Sequence, residues 1–446
     1  MDPARWGTTH EVPHDNSTGY EAGQHSAPGG ACVDKDVAHH RGGIVDPVVR
    51  ALPIYLTTGM IFGAVSARGL EIPLYAHQLG ASRGSVGLLF TSYMVSAALV
   101  AVPSGVITDR FGRLRTLILA ICVAAASQLA AAGSQDVGLL FVWQLVGGLS
   151  AGASQTALFA TLTDIVPSQD LGKAMGWLTL SMQTGFFVGP AVAGLLLGWL
   201  TLQQDLLVTT IPFGVALLMS FGGVPDKRNP SASMALWGPV KSFARGSTFW
   251  ALTASLLAVT LLWGTFQAYL PLMGKELFGL SGPMIGYLLG IVSVFNGATR
   301  VPAGRMVDRL QSRIALVTAC TIGFAVTVAV LPHLHGFWQP TILLSLTVPL
   351  MAVSFVGIGV AFAQIAPDDS RGVAMGVYSA VLFVGLGLGP AIFAPVIQAS
   401  GYQFGFLLCA VAAAILAVVA LGIRHEPLQR FRRPIVPPPV VGDYAD

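Results

Sequence analysis

Glu71 and Arg68 are the two residues in this sequence best suited to proton chemistry inside a membrane. They lie three positions apart in an otherwise apolar run, LTTGMIFGAVSARGLEIPLY (56–75), so a helix puts them on one face. A carboxyl among apolar groups can take up and release a proton. Desolvation and a neighbouring guanidinium act on that exchange in opposite senses. The competing reading has both side chains reaching to the outer headgroups as an anchor, beside Pro73 and Tyr75. Glu71 is expected to be the only acid well inside any apolar run. A different chemistry belongs to Gly105-x-x-x-Asp109-Arg110-x-Gly112-Arg113-x-Arg115. Here a carboxylate can bond the amides that open a neighbouring helix, or pair with an arginine, and so form a charged latch whose breakage is a switch. Plain topogenic charge would explain the arginines alone. It would not explain the recurrence of the pattern at Gly304, Asp308 and Arg309.

The elements that must position these residues follow from composition. Only 10% of the 446 residues are charged, against about 25% in a typical soluble domain. Hydrophobic residues make up 54%, and mean hydropathy is +0.70. So few charges cannot cover a soluble surface of this size, so the sequence reads as all-α and polytopic, spanning a lipid bilayer. Apolar runs fall near 50–75, 84–107, 114–133, 138–165, 172–198, 205–224, 249–273, 282–306, 313–331, 338–365, 371–397 and 402–423. Each is long enough to cross ~30 Å of hydrocarbon as a helix, and none shows the alternation of a barrel strand. Twelve transmembrane helices are therefore expected, as two six-helix bundles (48–224 and 249–423) joined by a polar linker at 225–248. Residues 1–47 and 424–446 read as tails, the first of them disordered by composition. Sixteen Lys and Arg lie on the side shared by the loops after spans 2, 4, 6, 8 and 10 and the C-terminal tail, against Arg83 and Lys275 in the opposite loops. The positive-inside rule then puts both termini in the cytoplasm, and a plasma (inner) membrane is the expected location.

The two halves repeat. IVPSQDLGKAMGWLTLSMQTGFFVGP (165–190) aligns with IAPDDSRGVAMGVYSAVLFVGLGLGP (365–390) at a shift of 200, and PSGVITDR (103–110) with PAGRMVDR (302–309) at 199. Parallel repeats of this kind accompany alternating-access transport. With the repeat and the Gly–Asp–Arg loop in hand, residues 50–423 resemble the major facilitator superfamily. The second copy of its signature loop is degraded: Leu310, Gln311 and Ser312 follow Arg309, and Arg313 is kept. Gly185-x-x-x-Gly189-Pro190-x-x-Ala193-Gly194 in span 5 looks like the family's antiporter motif, which implies efflux coupled to inward proton movement. Recurrence at Gly385, Gly389 and Pro390 weakens that reading, because packing symmetry alone could produce it.

Span 4 keeps the Gly-rich run 148–152, but Gln144 stands where many proton-coupled members carry an arginine. Coupling then uses another residue, Glu71 with Arg68 in the first instance, or is absent. By the resemblance, spans 1, 4, 7 and 10 line a cavity. Gln144, Gln155, Trp263, Gln267, Tyr269 and Gln364 are its candidate contacts, with Arg300 of span 8 as a candidate anion receptor. Interhelical hydrogen bonding or interfacial anchoring is the plainer role for each of the six, and snorkelling or loop pairing for Arg300. The expected function is proton-coupled efflux of a small drug-like or metabolite molecule by alternating access. A sugar or metabolite importer, a lipid translocator and a non-transporting scaffold are the competing readings. The only expected partners are that small molecule, protons and the bilayer, with the chain monomeric. No enzyme chemistry, nucleotide loop, nucleic-acid footprint, cofactor or metal set is legible; the tail histidines (His10, His14, His25, His39, His40) are irregularly spaced.

Overall fold

The computed structural model describes residues 51–166, 171–223, 245–309, 313–365 and 371–423. All of it is helix and short connections, with no strand among the described residues. The helices are α1 (Leu52–Gln78), α2 (Arg83–Phe111), α3 (Arg113–Ala132), α4 (Val137–Ile165), α5 (Leu171–Leu196), α6 (Leu202–Val208), α7 (Ile211–Gly223), α8 (Ser247–Glu276), α9 (Gly282–Arg309), α10 (Arg313–Val330), α11 (Trp338–Ile365) and α12 (Arg371–Gly422). Ten segments are both long and apolar enough to cross a membrane. Every one of the twelve apolar runs is occupied by helix. Span 6 is split into α6 and α7, and spans 11 and 12 are continuous except at Gly401, whose φ of 82° breaks the rod. The tails and most of the linker lie outside the described residues.

Local chemistry sets the helix ends. Ser82 caps α2 through Ser85 N, Asp136 caps α4 through Leu139 N, and Thr201 with Gln204 forms a reciprocal capping box on α6. Gly112 alone separates α2 from α3, at φ 105°, a conformation open to glycine and costly for other residues. That requirement accounts for the glycine of the Gly–Asp–Arg loop.

Packing repeats as the sequence does. α1 lies on α5 and α2 on α4 in the first half; α8 lies on α12 and α9 on α11 in the second. Across the halves, α2 meets α12 and α5 meets α9. Large apolar side chains such as Leu99, Leu218 and Leu346 point outward, as lipid-facing positions should.

Candidate functional site

Arg68 and Glu71 do share a face of α1, and that face points inward. Arg68 is 4% exposed and Glu71 0%, which overturns the headgroup anchor; Pro73 and Tyr75 are buried as well. The Arg68 guanidinium donates from Nε to Gln144 Oε1 (2.7 Å), from Nη1 to Ser127 Oγ (3.1 Å) and from Nη2 to the Trp143 carbonyl (2.9 Å). It also lies 5.8 Å from the centre of the Tyr93 ring. Three acceptors from α3 and α4 therefore hold one planar fork, as guanidinium geometry favours. Gln144 is accordingly no open cavity contact: its carbonyl is the counterpart of Arg68.

Glu71 takes a different partner set. Its Oε1 accepts from Thr209 Oγ1 at 2.8 Å, and Thr209 Oγ1 in turn accepts from Gln128 Nε2 at 2.9 Å. Asp205 of α6 lies within hydrogen-bonding reach of Glu71 and is itself 0% exposed. Glu71 is therefore not the only acid inside the spans. Asp205 sits at the edge of the sixth apolar run, where sequence gives no sign of its depth. The capped turn of α6 carries it inside. Glu71 Oε2 and both Asp205 carboxyl oxygens accept from no described donor, and neither acid forms an ion pair with a described cation.

A half-enclosed cavity of about 290 Å³ lies between α5 and α9, walled by Trp177, Leu180, Gln183, Gly297 and Arg300 among others. Asn296 Oδ1 accepts from Gln183 Nε2 (3.0 Å) and, more weakly, from Arg300 Nε (3.5 Å). Of the other candidate contacts, Trp263 is partly buried and packs on Phe266, Phe324 and Phe355. Gln155 and Gln267 are partly buried too. Tyr269 does not line an opening: it is 0% exposed, packed on Tyr402 and Phe406 and lying over Gly87 of α2. The side chains of Gln364, Asp109, Asp308 and Arg309 lie outside the described set.

The end of the bundle remote from residues 51 and 423 is closed by contacts that the sequence did not signal. Arg83 Nε donates to Glu276 Oε2 at 2.7 Å, and Tyr402 Oη donates to the same oxygen at 3.1 Å. His77 Nδ1 lies 3.8 Å from Oε1, and the Arg83 guanidinium sits 4.7 Å from the centre of the Tyr402 ring. Nearby, Thr91 Oγ1 donates to the Gly387 carbonyl across the halves at 2.9 Å.

Comparison with known proteins agrees with this architecture. The profile of the Major Facilitator Superfamily matches residues 54–363 and, in a second overlapping match, 275–440. The chain belongs to the major facilitator superfamily. It is a multi-pass membrane transporter and not an enzyme. The class C tetracycline resistance protein of Escherichia coli is 26% identical over 353 residues, covering 76% of this chain and 86% of that protein. Multidrug resistance protein 2 of Bacillus subtilis (strain 168) is 23% identical over 283 residues, covering 60% and 71%. The crystal structure of a point mutant of the nucleoside transporter NupG shares the fold, with a TM-score of 0.69 at 14% identity over 84% of this chain and 99% of that one.

Within this transporter the antiporter-like glycines are packing devices. A Cβ on Gly185 would meet Gly59 O at 2.6 Å, and one on Gly189 would overlap Gly63 O and Ser66 Oγ; both glycines seat α5 on α1. Pro190 lies one residue further along α5, and Gly194 abuts Gly286 of α9. Ser66 Oγ donates to the Gly185 carbonyl at 3.0 Å across the same seam. In the repeat, Gly385 and Gly389 seat α12 on α8 against Thr260, Leu261 and Thr265. Gly105 lies near Thr156 of α4, and Arg110 is exposed at the end of α2, one residue before Phe111 and the Gly112 corner into Arg113.

Proposed function

We propose that this transporter exports a small amphipathic organic molecule in exchange for protons by alternating access, in the plasma (inner) membrane with both termini cytoplasmic. The observation carrying the coupling is the enclosed pair of acids, Glu71 and Asp205, with three carboxyl oxygens lacking any described donor. Two ionised carboxylates so close and so desolvated repel strongly, and neither can donate to the other. One proton held between them removes a charge and supplies the missing donor. Thr209 is built to follow that proton: its single hydroxyl hydrogen can go to Glu71 Oε1 (2.8 Å) or to the Asp205 carbonyl (2.9 Å). Arg68, docked on Gln144, supplies from α1 the interior cation that the resemblance expects on span 4. Export is supported by the resistance proteins among its relatives.

The test is proteoliposome transport of a panel of amphipathic compounds under proton gradients of opposite sign, with Glu71→Gln beside the parent chain. Gradient-driven accumulation should be lost in E71Q while downhill exchange persists. Accumulation retained in E71Q refutes the assignment of the proton to this pair.

A further inference from the structure

Arg300 has a setting unlike that of Arg68 or Arg83. Arg68 has three short acceptors and Arg83 has a carboxylate. Arg300 lines the α5–α9 cavity, and its one described acceptor is the amide oxygen of Asn296, at the long distance of 3.5 Å, shared with Gln183. No described carboxylate pairs with it. The Tyr378 phenol from α12 is close enough to interact with its charge, but a neutral phenol does not balance a cation. A guanidinium inside an apolar bundle is costly unless paired. Here its terminal nitrogens, with the second N–H of the Gln183 amide, are donors with no described protein acceptor.

We infer that the α5–α9 cavity is a binding site for an amphipathic monoanion, such as an aromatic acid. Its carboxylate sits on the Arg300 fork and the Gln183 amide, and its apolar body lies against Trp177 and Leu180. Guanidinium presents paired N–H groups that match a carboxylate or phosphate, and an indole offers a flat apolar face to a ring. Asn296 is a positioning residue: it holds Nε and Gln183 and leaves the fork turned to the ligand. A volume of about 290 Å³ is at the small end of ligand sites, which run from ~300 Å³ upward, so it suits one ring system and one anionic group. This names the substrate class for the export reading above and rests on it in one respect. If one monoanion leaves for each proton that enters, two charges move inward per cycle, and membrane potential drives export together with the pH gradient.

The test separates the two readings by measuring binding with no gradient present. Purified full-length protein in nanodiscs is titrated with 2-naphthoate and with neutral 2-naphthamide, followed by tryptophan fluorescence and by competition. The parent chain should prefer the acid by about ten-fold or more, the worth of one charge-assisted hydrogen bond. In Arg300→Gln that ratio should fall to near one, and Arg300→Lys should keep part of it, so a folding failure of the first variant leaves the second to decide. Trp177→Leu should weaken both ligands and remove the fluorescence response. Lysophosphatidate as competitor tells a lipid headgroup from a free organic acid; displacement by it alone assigns the site to lipid anions. Equal affinity of the parent chain for acid and amide, or an unchanged ratio in R300Q and R300K, overturns the site. Glu71→Gln should leave the ratio untouched, so acid preference in a protein whose gradient-driven accumulation survives E71Q sinks only the export mechanism.

Discussion

Replacing Glu276 with glutamine should open the end of the transporter that is closed in this structure. Glu276 is the only described acid in that closure, and it gathers Arg83 at 2.7 Å, Tyr402 at 3.1 Å and His77 at 3.8 Å. Unit charges at 2.7 Å in an effective dielectric near 20 attract by about 6 kcal/mol. The Arg83 side chain is 39% exposed and the Glu276 side chain 17%, so solvent competes and the net worth is about 0.5–1 kcal/mol. Glutamine keeps the shape and one acceptor but loses the charge. Because 0.5–1 kcal/mol is roughly a 2- to 5-fold change in an equilibrium constant, E276Q should depopulate the closed conformer by about that factor. Spin labels at exposed Gln78 and Ser400, on opposite halves, would report it by double electron–electron resonance in a background without native cysteines. The long-distance population should grow in E276Q and in Arg83→Gln, with the double variant no further open than either single one. Identical distance distributions in all four proteins would refute the latch.

Three other perturbations follow from the same geometry. Gly189→Ala places a methyl against Gly63 O and Ser66 Oγ and should lower thermal stability in detergent by about 1–3 kcal/mol, whereas Gly214→Ala, with open space around it, should be neutral or slightly stabilising. Arg68→Lys replaces a fork that reaches three acceptors with a single ammonium. A loss of about 2 kcal/mol or more is expected, read as a lowered unfolding midpoint; an unchanged midpoint would show that the three bonds are not all made in the membrane. Asp205→Asn gives Glu71 a permanent amide donor in place of a shared proton, so internal pH measured with a trapped dye should stop following substrate movement while counterflow continues.

Membership, helix positions and the repeat were legible in the primary structure because they rest on local quantities. A run of about 20 apolar residues must satisfy its own backbone, and in lipid only a helix does so, whatever its neighbours. The glycine seam of α5 was legible for the same kind of reason, since steric demand on a glycine is written into its residue type. The inward facing of Arg68 and Glu71 was open, because three-residue spacing puts two side chains on one face without saying what that face meets. Asp205 and Thr209 were not legible as partners of Glu71, nor Gln128 as the donor behind Thr209. They come from separate helices 57 to 138 positions away along the chain, and apolar composition is too uniform here to mark a buried stripe. Glu276, Tyr402 and Arg83 were likewise invisible, each an ordinary helix-end residue in its own segment.

What the amino-acid order settled alone is therefore a helical membrane transporter of two repeated halves, since hydropathy, charge bias and glycine spacing are read from single segments without knowing which segments are neighbours. What only the tertiary structure decided is which polar groups meet: Arg68 on Gln144, Glu71 beside Asp205, Arg83 on Glu276, and Arg300 without an acid among the described residues. Electrostatic pairing depends on distance through space, and in a bundle that distance is set by which helices are neighbours, not by separation along the chain.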